Sequence, residues 1–310
     1  MKTIITTKYG SPDVLKVTEA VKPIPKEDEI LIKIEASSVT AADSMMRKGE
    51  PYYGRLFIGL TKPKNPVPGT GFAGTIEAIG KEVKNFKVGE AVFGEIVLGP
   101  GTNCEYACVP ESGVVLSKPS NISFEEAAPV CDGALTSMSF LKDIGHIKPG
   151  QKILINGASG SLGSAAVQLA KEFGAEVTGV CSTSNIDLVK TLGADNAIDY
   201  TKIDFTKQST HYDVIYDTVG TLSFSNCKKV LTANGIFMSP VLGMPLLFQM
   251  IKSGISGRKK AKFSATGLRP VSELNILFKQ LKELLEKGAL KTHIDKTYPL
   301  EDISKAHQYV

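Results

Sequence analysis

The residues best suited to chemistry lie between Lys152 and Phe173, in the stretch KILINGASGSLGSAAVQLAKEF. An apolar run, Ile153 to Ile155, meets a turn rich in glycine and serine. Beyond it Ala165, Ala166, Leu169 and Ala170 recur at helical spacing. A strand, a tight turn and a helix in that order aim several backbone N–H groups at one point beside the positive end of the helix. A pyrophosphate can be held there without a charged side chain. The glycine fingerprint reads A-x-G-x-x-G, with Ala158 in the first position, then Gly160 and Gly163. Ser159, Ser161 and Leu162 stand between them. Gly160 lets a ligand approach the backbone, and Gly163 lets helix and strand pack closely.

Other chemistries fail on spacing. The five cysteines (104, 108, 131, 181 and 227) form no C-x-x-C pair and are odd in number, which argues against a disulfide framework and a zinc cage and for a reducing compartment. The four histidines (146, 211, 293 and 307) are too dispersed for a metal site or a relay and read as surface or structural residues. Neither G-x-S-x-G nor a phosphate-loop lysine is present, and no tyrosine is followed four residues later by lysine.

The elements that must position the turn follow from pattern. Candidate strands from residue 3 to 6, 15 to 18, 30 to 35, 71 to 78, 91 to 96, 105 to 109 and 114 to 116 make the first part a compact β domain, interrupted by a helix from 40 to 48 and a proline-rich loop. Ser123 and Glu126 form a capping box that opens a helix, and a second helix is expected from 135 to 144. After the glycine turn come strand 176 to 181, helix 187 to 192, strands 196 to 198 and 214 to 217, helix 224 to 231 and strands 235 to 239 and 262 to 265. This is repeated β-α-β, the alternation of a doubly wound parallel sheet. Leu274, Leu277, Phe278, Leu281, Leu284 and Leu285 then line one face of a helix stopped by Gly288.

At 310 residues two domains are expected. With 42% apolar and 22% charged residues the chain is globular rather than disordered or fibrous. A net charge of +4 does not point to nucleic acid or an anionic membrane as first partner, and the run Arg258 to Lys260 reads as a solvated loop. The N-terminus lacks a secretory core. Gly235 to Ile251, broken by Gly243, Pro240 and Pro245, is too short for an integral membrane segment, so the expected location is cytoplasmic.

Several segments in this order resemble the medium-chain dehydrogenase/reductase superfamily, specifically its zinc-free quinone oxidoreductase (zeta-crystallin-like) branch. They are ASSVTAAD (36 to 43), NPVPGTGFAG (65 to 74), FKVGEAVFG (86 to 94), CEYACVP (104 to 110), AAPVCDGALT (127 to 136), the glycine turn, LGADNAIDY (192 to 200), YDVIYDTVG (212 to 220) and the closing GALKTHIDKTYPLEDISKAHQYV. The resemblance implies an α/β protein with a Rossmann doubly wound sheet and a GroES-like, partly open β-barrel domain. It places the GroES-like domain at 1–122, the nucleotide-binding domain at 123–266 and a return at 267–310. The family's last strand lies beyond the segment matching AHQYV. Where zinc-dependent relatives carry metal ligands, this chain has Thr40, Thr70 and Gly71, and thiol or imidazole donors are absent there, so no metal is expected. Zinc-free relatives often carry Asn and Asp where Thr40 and Gly71 stand.

The resemblance also implies a nicotinamide cofactor, and the end of the second Rossmann strand decides which. Ser182, Thr183, Ser184 and Asn185 include no acid to hold a free ribose hydroxyl or repel a 2′-phosphate, so NADPH is expected, with Tyr200 and Lys190 as further contacts. Thr136, Val219, Gly220 and Ser239 are placed near the nicotinamide. Without a metal Lewis acid, the chemistry implied is hydride delivery to an already electrophilic, small apolar acceptor, a quinone or α,β-unsaturated carbonyl. Tyr52 or Tyr53 is a candidate proton donor, against a packing role for either. Val241 to Met250 suits a pocket wall, although core packing or a membrane-facing loop would give the same composition. The resemblance suggests a homodimer. The competing reading is an NADPH-binding redox-sensing or scaffold protein with little turnover.

Overall fold

The structure is a computed structural model that describes residues 1–96 and 99–310, with Ser256 described for its backbone only. Two compact units divide the chain. The first comprises Met1–Asp132, Pro270–Glu286 and Thr292–Val310, and the second Gly133–Arg269 and Lys287–Lys291.

In the first unit β1 (Lys2–Ile5) pairs antiparallel with β2 (Lys16–Glu19). A five-stranded antiparallel sheet is built from β3 (Glu29–Ser37), β4 (Gly71–Ile79), β5 (Ala91–Glu95), β6 (Tyr106–Pro110) and β7 (Val114–Ser117), in the order β6-β3-β4-β5-β7. Its open ends at β6 and β7 make it the partly open barrel the resemblance implies. Alternate apolar side chains from these strands, among them Ile30, Ile32, Phe72, Ile76 and Val92, form its buried core. The late helix Val271–Glu286 belongs to this unit, and Phe278 lies 4.6 Å, ring centre to ring centre, from Phe93 of β5.

The second unit holds β8 (Lys152–Asn156), β9 (Glu176–Cys181), β10 (Asn196–Asp199), β11 (Tyr212–Asp217), β12 (Leu231–Ser239) and β13 (Lys260–Phe263). They form one parallel sheet in the order β10-β9-β8-β11-β12-β13. Numbered within the unit this is 3-2-1-4-5-6, and the order reverses between β8 and β11, where open α/β sheets bind ligands at the carboxyl ends of their strands. β8, β9 and β11 are buried almost throughout, as strands covered on both faces must be.

The structure departs from the sequence reading in three elements. The segment expected as one helix from 135 to 144 is an α-helical turn, Thr136–Ser139, between two π-helical segments, Cys131–Leu135 and Phe140–Ile144. The helix expected from 224 to 231 ends at Cys227, because Leu231 already pairs with Tyr212 in the sheet. Most of the apolar segment read as a pocket wall lies in a helix, Met244–Ser256, with Pro245 in its first turn, where proline is tolerated. Among the described residues no helix is long and apolar enough to cross a membrane.

Candidate functional site

The glycine turn leaves β8 at the centre of the parallel sheet. Its strained position is Gly157 rather than Ala158: Gly157 has φ +76°, and a Cβ there would lie 2.5 Å from Val219 Cγ2. Gly157 stands one residue before the first position of the fingerprint. Ala158 is fully buried, and its backbone N–H, like that of Gly157, donates to the Val180 carbonyl at 3.0 Å. Gly163 is required by packing, since a Cβ would stand 2.0 Å from the Gly157 carbonyl oxygen. Gly160 is different. It caps the helix Ser161–Glu172 with ordinary extended backbone (φ −77°, ψ 176°) and no side-chain cap, and a Cβ there meets only the Gly157 oxygen at 3.4 Å. The fold leaves the space in front of Gly160 open and the first-turn N–H groups without intrahelical partners. That arrangement fits a pyrophosphate.

The other expected cofactor residues surround this turn. Asn185 Nδ2 donates to Ser159 Oγ at 3.1 Å and to Ser182 Oγ at 3.3 Å, which ties the Ser182 to Asn185 loop to the glycine turn. Ser182 and Ser184 share a hydrogen bond of 3.1 Å. Thr183 is turned away to Asp199, donating to Oδ2 at 2.5 Å. Asp199 is an acid that reaches the loop from β10, and residues 182 to 185 do not announce it. Hydrogen bonds from Thr183 and then Thr201 hold its carboxyl well below the usual carboxylate range, and Lys202 Nζ lies 3.3 Å away. Tyr200 is exposed, with its backbone N–H on the Cys181 carbonyl.

On the opposite side of the turn, Val219 and Gly220 sit in a loop organised by Asp217. The buried Asp217 carboxylate accepts from the N–H groups of Val219, Gly220 and Leu222 and from Asn156 Nδ2. Neither Asn156 nor Asp217 was singled out in the sequence. Ser239 is buried at the end of β12, and its Oγ accepts from the Val241 N–H at 3.2 Å. Thr136 is half-buried on a helical segment fastened to the glycine turn, because Ser137 Oγ donates to the Leu162 carbonyl at 2.8 Å. Thus every expected cofactor residue lies in the second unit.

The first unit contains Tyr52 and a separate carboxyl cluster. Tyr52 is largely exposed on the turn Tyr52–Gly54, and the Arg55 guanidinium lies 4.7 Å from its ring centre and 4.4 Å from that of Tyr9. The positions that carry metal ligands in zinc-dependent relatives lie among hydrogen bonds from hydroxyls to buried carboxyls. Thr40 donates to Asp43 through N–H (2.8 Å) and Oγ1 (2.9 Å), Thr70 Oγ1 donates to Asp132 at 2.6 Å, and Ser38 donates to the other Asp132 oxygen. A Cβ at Gly71 would collide with Ser38 Oγ, the Asp132 carboxylate and the Ala128 carbonyl. Burial, then the charge of Asp132, raises Asp43 to about 7 and Glu95 to about 8, and burial raises Asp132 as well. Among the described residues no group of His, Cys, Asp or Glu is arranged to hold a metal ion. Hydroxyls and the carboxyls they bond do not make the thiolate or imidazole donor set that zinc prefers. His307 is buried against Arg47, and burial, then the Arg47 charge, pushes it down to about 4.

Residues 26–120 match the family described as an alcohol dehydrogenase GroES-like domain, and residues 192–310 match the family described as a zinc-binding dehydrogenase. The chain is 41% identical over 230 residues to 2-methylene-furan-3-one reductase of Solanum lycopersicum, covering 71% of this chain and 57% of that protein. It is 30% identical to quinone oxidoreductase of Sus scrofa, covering 99% of this chain and 93% of that protein. The solved structure of Escherichia coli quinone oxidoreductase complexed with NADPH superimposes with a TM-score of 0.84 at 25% identity, covering 99% of this chain and 95% of that one.

Proposed function

The chain belongs to the quinone oxidoreductase branch of the medium-chain dehydrogenase/reductase superfamily, and on that premise we propose that it is an NADPH-dependent oxidoreductase that reduces quinones or α,β-unsaturated carbonyl compounds without zinc. The observation that carries the reading is the pairing of an open Gly160 cradle with the Ser182 to Asn185 loop, joined by the Asn185 to Ser159 hydrogen bond. The names of the relatives supply the acceptor class: one reduces an exocyclic enone and another a quinone.

When bound, the nicotinamide supplies the hydride. The chain's own residues bind and orient it. First-turn N–H groups of the helix Ser161–Glu172 face the pyrophosphate, and Ser182, Ser184 and Asn185, with Tyr200 beside them, offer hydroxyl and amide groups to the 2′-phosphate. Lys202, which faces Asp199, would offset that carboxylate beside the phosphate. The Asp217 loop fixes Val219 and Gly220, and Ser239 and Thr136 complete the nicotinamide side. Hydroxyl and carboxyl groups fill the metal positions, so the acceptor must arrive already polarised by conjugation. Tyr52 is the proposed proton donor at the oxygen or carbon that becomes basic. Five free cysteines support a reducing, cytoplasmic setting, and the resemblance supports a homodimer.

Single-turnover oxidation of NADPH against a matched quinone, enone and saturated ketone tests the proposal. Rapid turnover of the first two and little of the third is expected. Equal rates on enone and saturated ketone, or tight NADPH binding with no oxidation by any acceptor, would overturn it.

A further inference from the structure

Asp132 is held between two hydroxyls that differ in exposure. Thr70 Oγ1 lies 2.6 Å from its Oδ1, and Ser38 Oγ bonds its Oδ2. Ser38 is buried, whereas Thr70, Asp132 and Glu95 are only half-buried. Asp43 is closed off, and its Oδ1 has no hydrogen-bond partner. Among the described residues no cation acts on Glu95 or Asp132, and the Cys131 thiol beside them is pushed up by burial and stays neutral. Ionising all three acids would put like charges together with nothing to meet them, so the group retains protons.

A hydroxyl has one proton to donate. Beside an ionised Asp132, Ser38 and Thr70 would both spend theirs on the carboxylate. When Asp132 is neutral, one of its oxygens donates the carboxyl proton to a hydroxyl, and that hydroxyl's own proton turns elsewhere. Buried Ser38 would strand its proton. The pairing that strands no donor has Asp132 donating from Oδ1 to Thr70 Oγ1 while Ser38 donates to Oδ2. A separation of 2.6 Å suits an O–H···O bond in either direction. Thr70 then presents its O–H outward, at a position where zinc-dependent relatives carry a ligand to an ion that polarises oxygen.

We propose that the Thr70 hydroxyl donates to the oxygen of the acceptor and that Asp132 supplies the proton behind it. The inference rests on the reading of the chain as a quinone or enone reductase. As the β-carbon of an enone gains the hydride, the C=C electrons shift toward the carbonyl carbon and the C=O π pair moves onto oxygen. The Thr70 O–H bond breaks as the acceptor O–H bond forms, and the Asp132 O–H bond breaks as that of Thr70 is restored. An enol and an Asp132 carboxylate result. When the α-carbon takes a proton from Tyr52, the enol proton returns through Thr70 to Asp132, and water reprotonates Tyr52. A quinone keeps the proton on oxygen, and water refills Asp132. A Brønsted acid thus stands where those relatives place a Lewis acid.

Infrared spectra and kinetics of the intact protein test the proposal. In the complex with NADP+ and cyclohexenone isotope-labelled at the carbonyl, the C=O stretch should be lowered in wild type, raised again in Thr70→Val and lowered once more in Thr70→Ser. With NADPH and the same enone, Thr70→Val should lose about 10²-fold in kcat at unchanged NADPH affinity, and Thr70→Ser should recover most of it. Asp132→Asn, which can still donate to Thr70 but has no proton to give, should keep the lowered stretch and lose at least about tenfold in kcat. A stretch identical in wild type and Thr70→Val, or either Thr70→Val or Asp132→Asn turning over as fast as wild type, would overturn the proposal and leave the reductase reading standing. If wild type oxidises NADPH with no acceptor, the reductase reading falls, and the proton relay falls with it.

Discussion

Asn156 and Asp217 stand side by side at the carboxyl ends of β8 and β11, and Asn156 Nδ2 donates to Asp217 Oδ1 at 2.8 Å. The bond closes the point where the strand order reverses, and Asp217 then holds the Val219 to Leu222 loop with its remaining capacity. Asn156→Ala should cost about 1–2 kcal/mol in urea unfolding, since a buried carboxylate loses a donor. It should also weaken NADPH binding through Val219 and Gly220. Asn156→Asp should be worse at pH 8 than at pH 5, because two facing carboxyls raise one another's pKa and stability falls as the shared proton leaves. Unchanged NADPH affinity in Asn156→Ala would show that the loop does not need this bond.

Gly160 and Gly163 separate ligand space from packing. Gly163→Ala places a methyl 2.0 Å from the Gly157 oxygen, so the helix must move from the turn at a cost of about 1–3 kcal/mol or more. Gly160→Ala meets open space, and its loss is limited to the poorer helix cap, about 1 kcal/mol at most. Yet Gly160→Ala should weaken NADPH at least about tenfold. Calorimetric titration beside thermal melting distinguishes the two, and normal NADPH affinity in a folded Gly160→Ala would move the pyrophosphate elsewhere.

Cofactor choice depends on charge at the Ser182 loop. Asp199 is already engaged by Thr183, Thr201 and Lys202, whereas a carboxylate at position 182 would face the 2′-phosphate directly. Ser182→Asp should shift preference from NADPH toward NADH by roughly one to a few kcal/mol. The ratio of kcat/KM for the two cofactors measures it. A wild type indifferent to the phosphate would refute the assignment of this loop.

These tests also mark how far the sequence could be read. Order and type of most elements were legible because β8 and β11 centre on short apolar runs, Ile153 to Ile155 and Val214 to Tyr216, and the helix Ser161–Glu172 shows its small-residue face. Gly157 was passed over because a pattern of glycines does not say which one has positive φ. Asp199, Asp217 and Asp132 act at long sequence separation, and their partners Thr183, Asn156, Ser38 and Thr70 become neighbours only when the strands are assembled. The apolar stretch after Ser239 gave no sign of which residues face outward until the helix Met244–Ser256 divided them.

Tyr52 is exposed and its ring lies beside Arg55, so removing its hydroxyl should leave the fold intact. Tyr52→Phe should lower kcat about 10²-fold or more with little change in NADPH affinity if the hydroxyl supplies the proton. A solvent isotope effect on kcat, present in wild type and altered in the variant, is the accompanying readout. Unaltered kcat would leave Tyr52 a packing residue.

The carboxyl cluster makes the first unit sensitive to alkali. Asp43 and Glu95 are raised to about 7 and about 8, with Asp132 raised beside them, whereas unfolded carboxyls titrate near pH 4. Between these limits the folded chain holds more protons than the unfolded one, so the contribution of the cluster is complete below about pH 4 and is lost as pH rises through 7 to 8. Buried His307 has the opposite sign. Its folded value of about 4 lies below its ordinary one, so its contribution is lost only as pH falls from about 6.5 toward 4. Between pH 6.5 and about 8 the carboxyls set the slope, and above that the cysteine thiols, raised by burial, add to it with the same sign. Wild type should therefore lose about 2 kcal/mol or more in urea unfolding between pH 6.5 and 9. Glu95→Gln, which keeps the shape and cannot ionise, should flatten much of that slope and unfold later at pH 9. A slope identical in wild type and Glu95→Gln would mean that Glu95 is ionised in the fold at neutral pH.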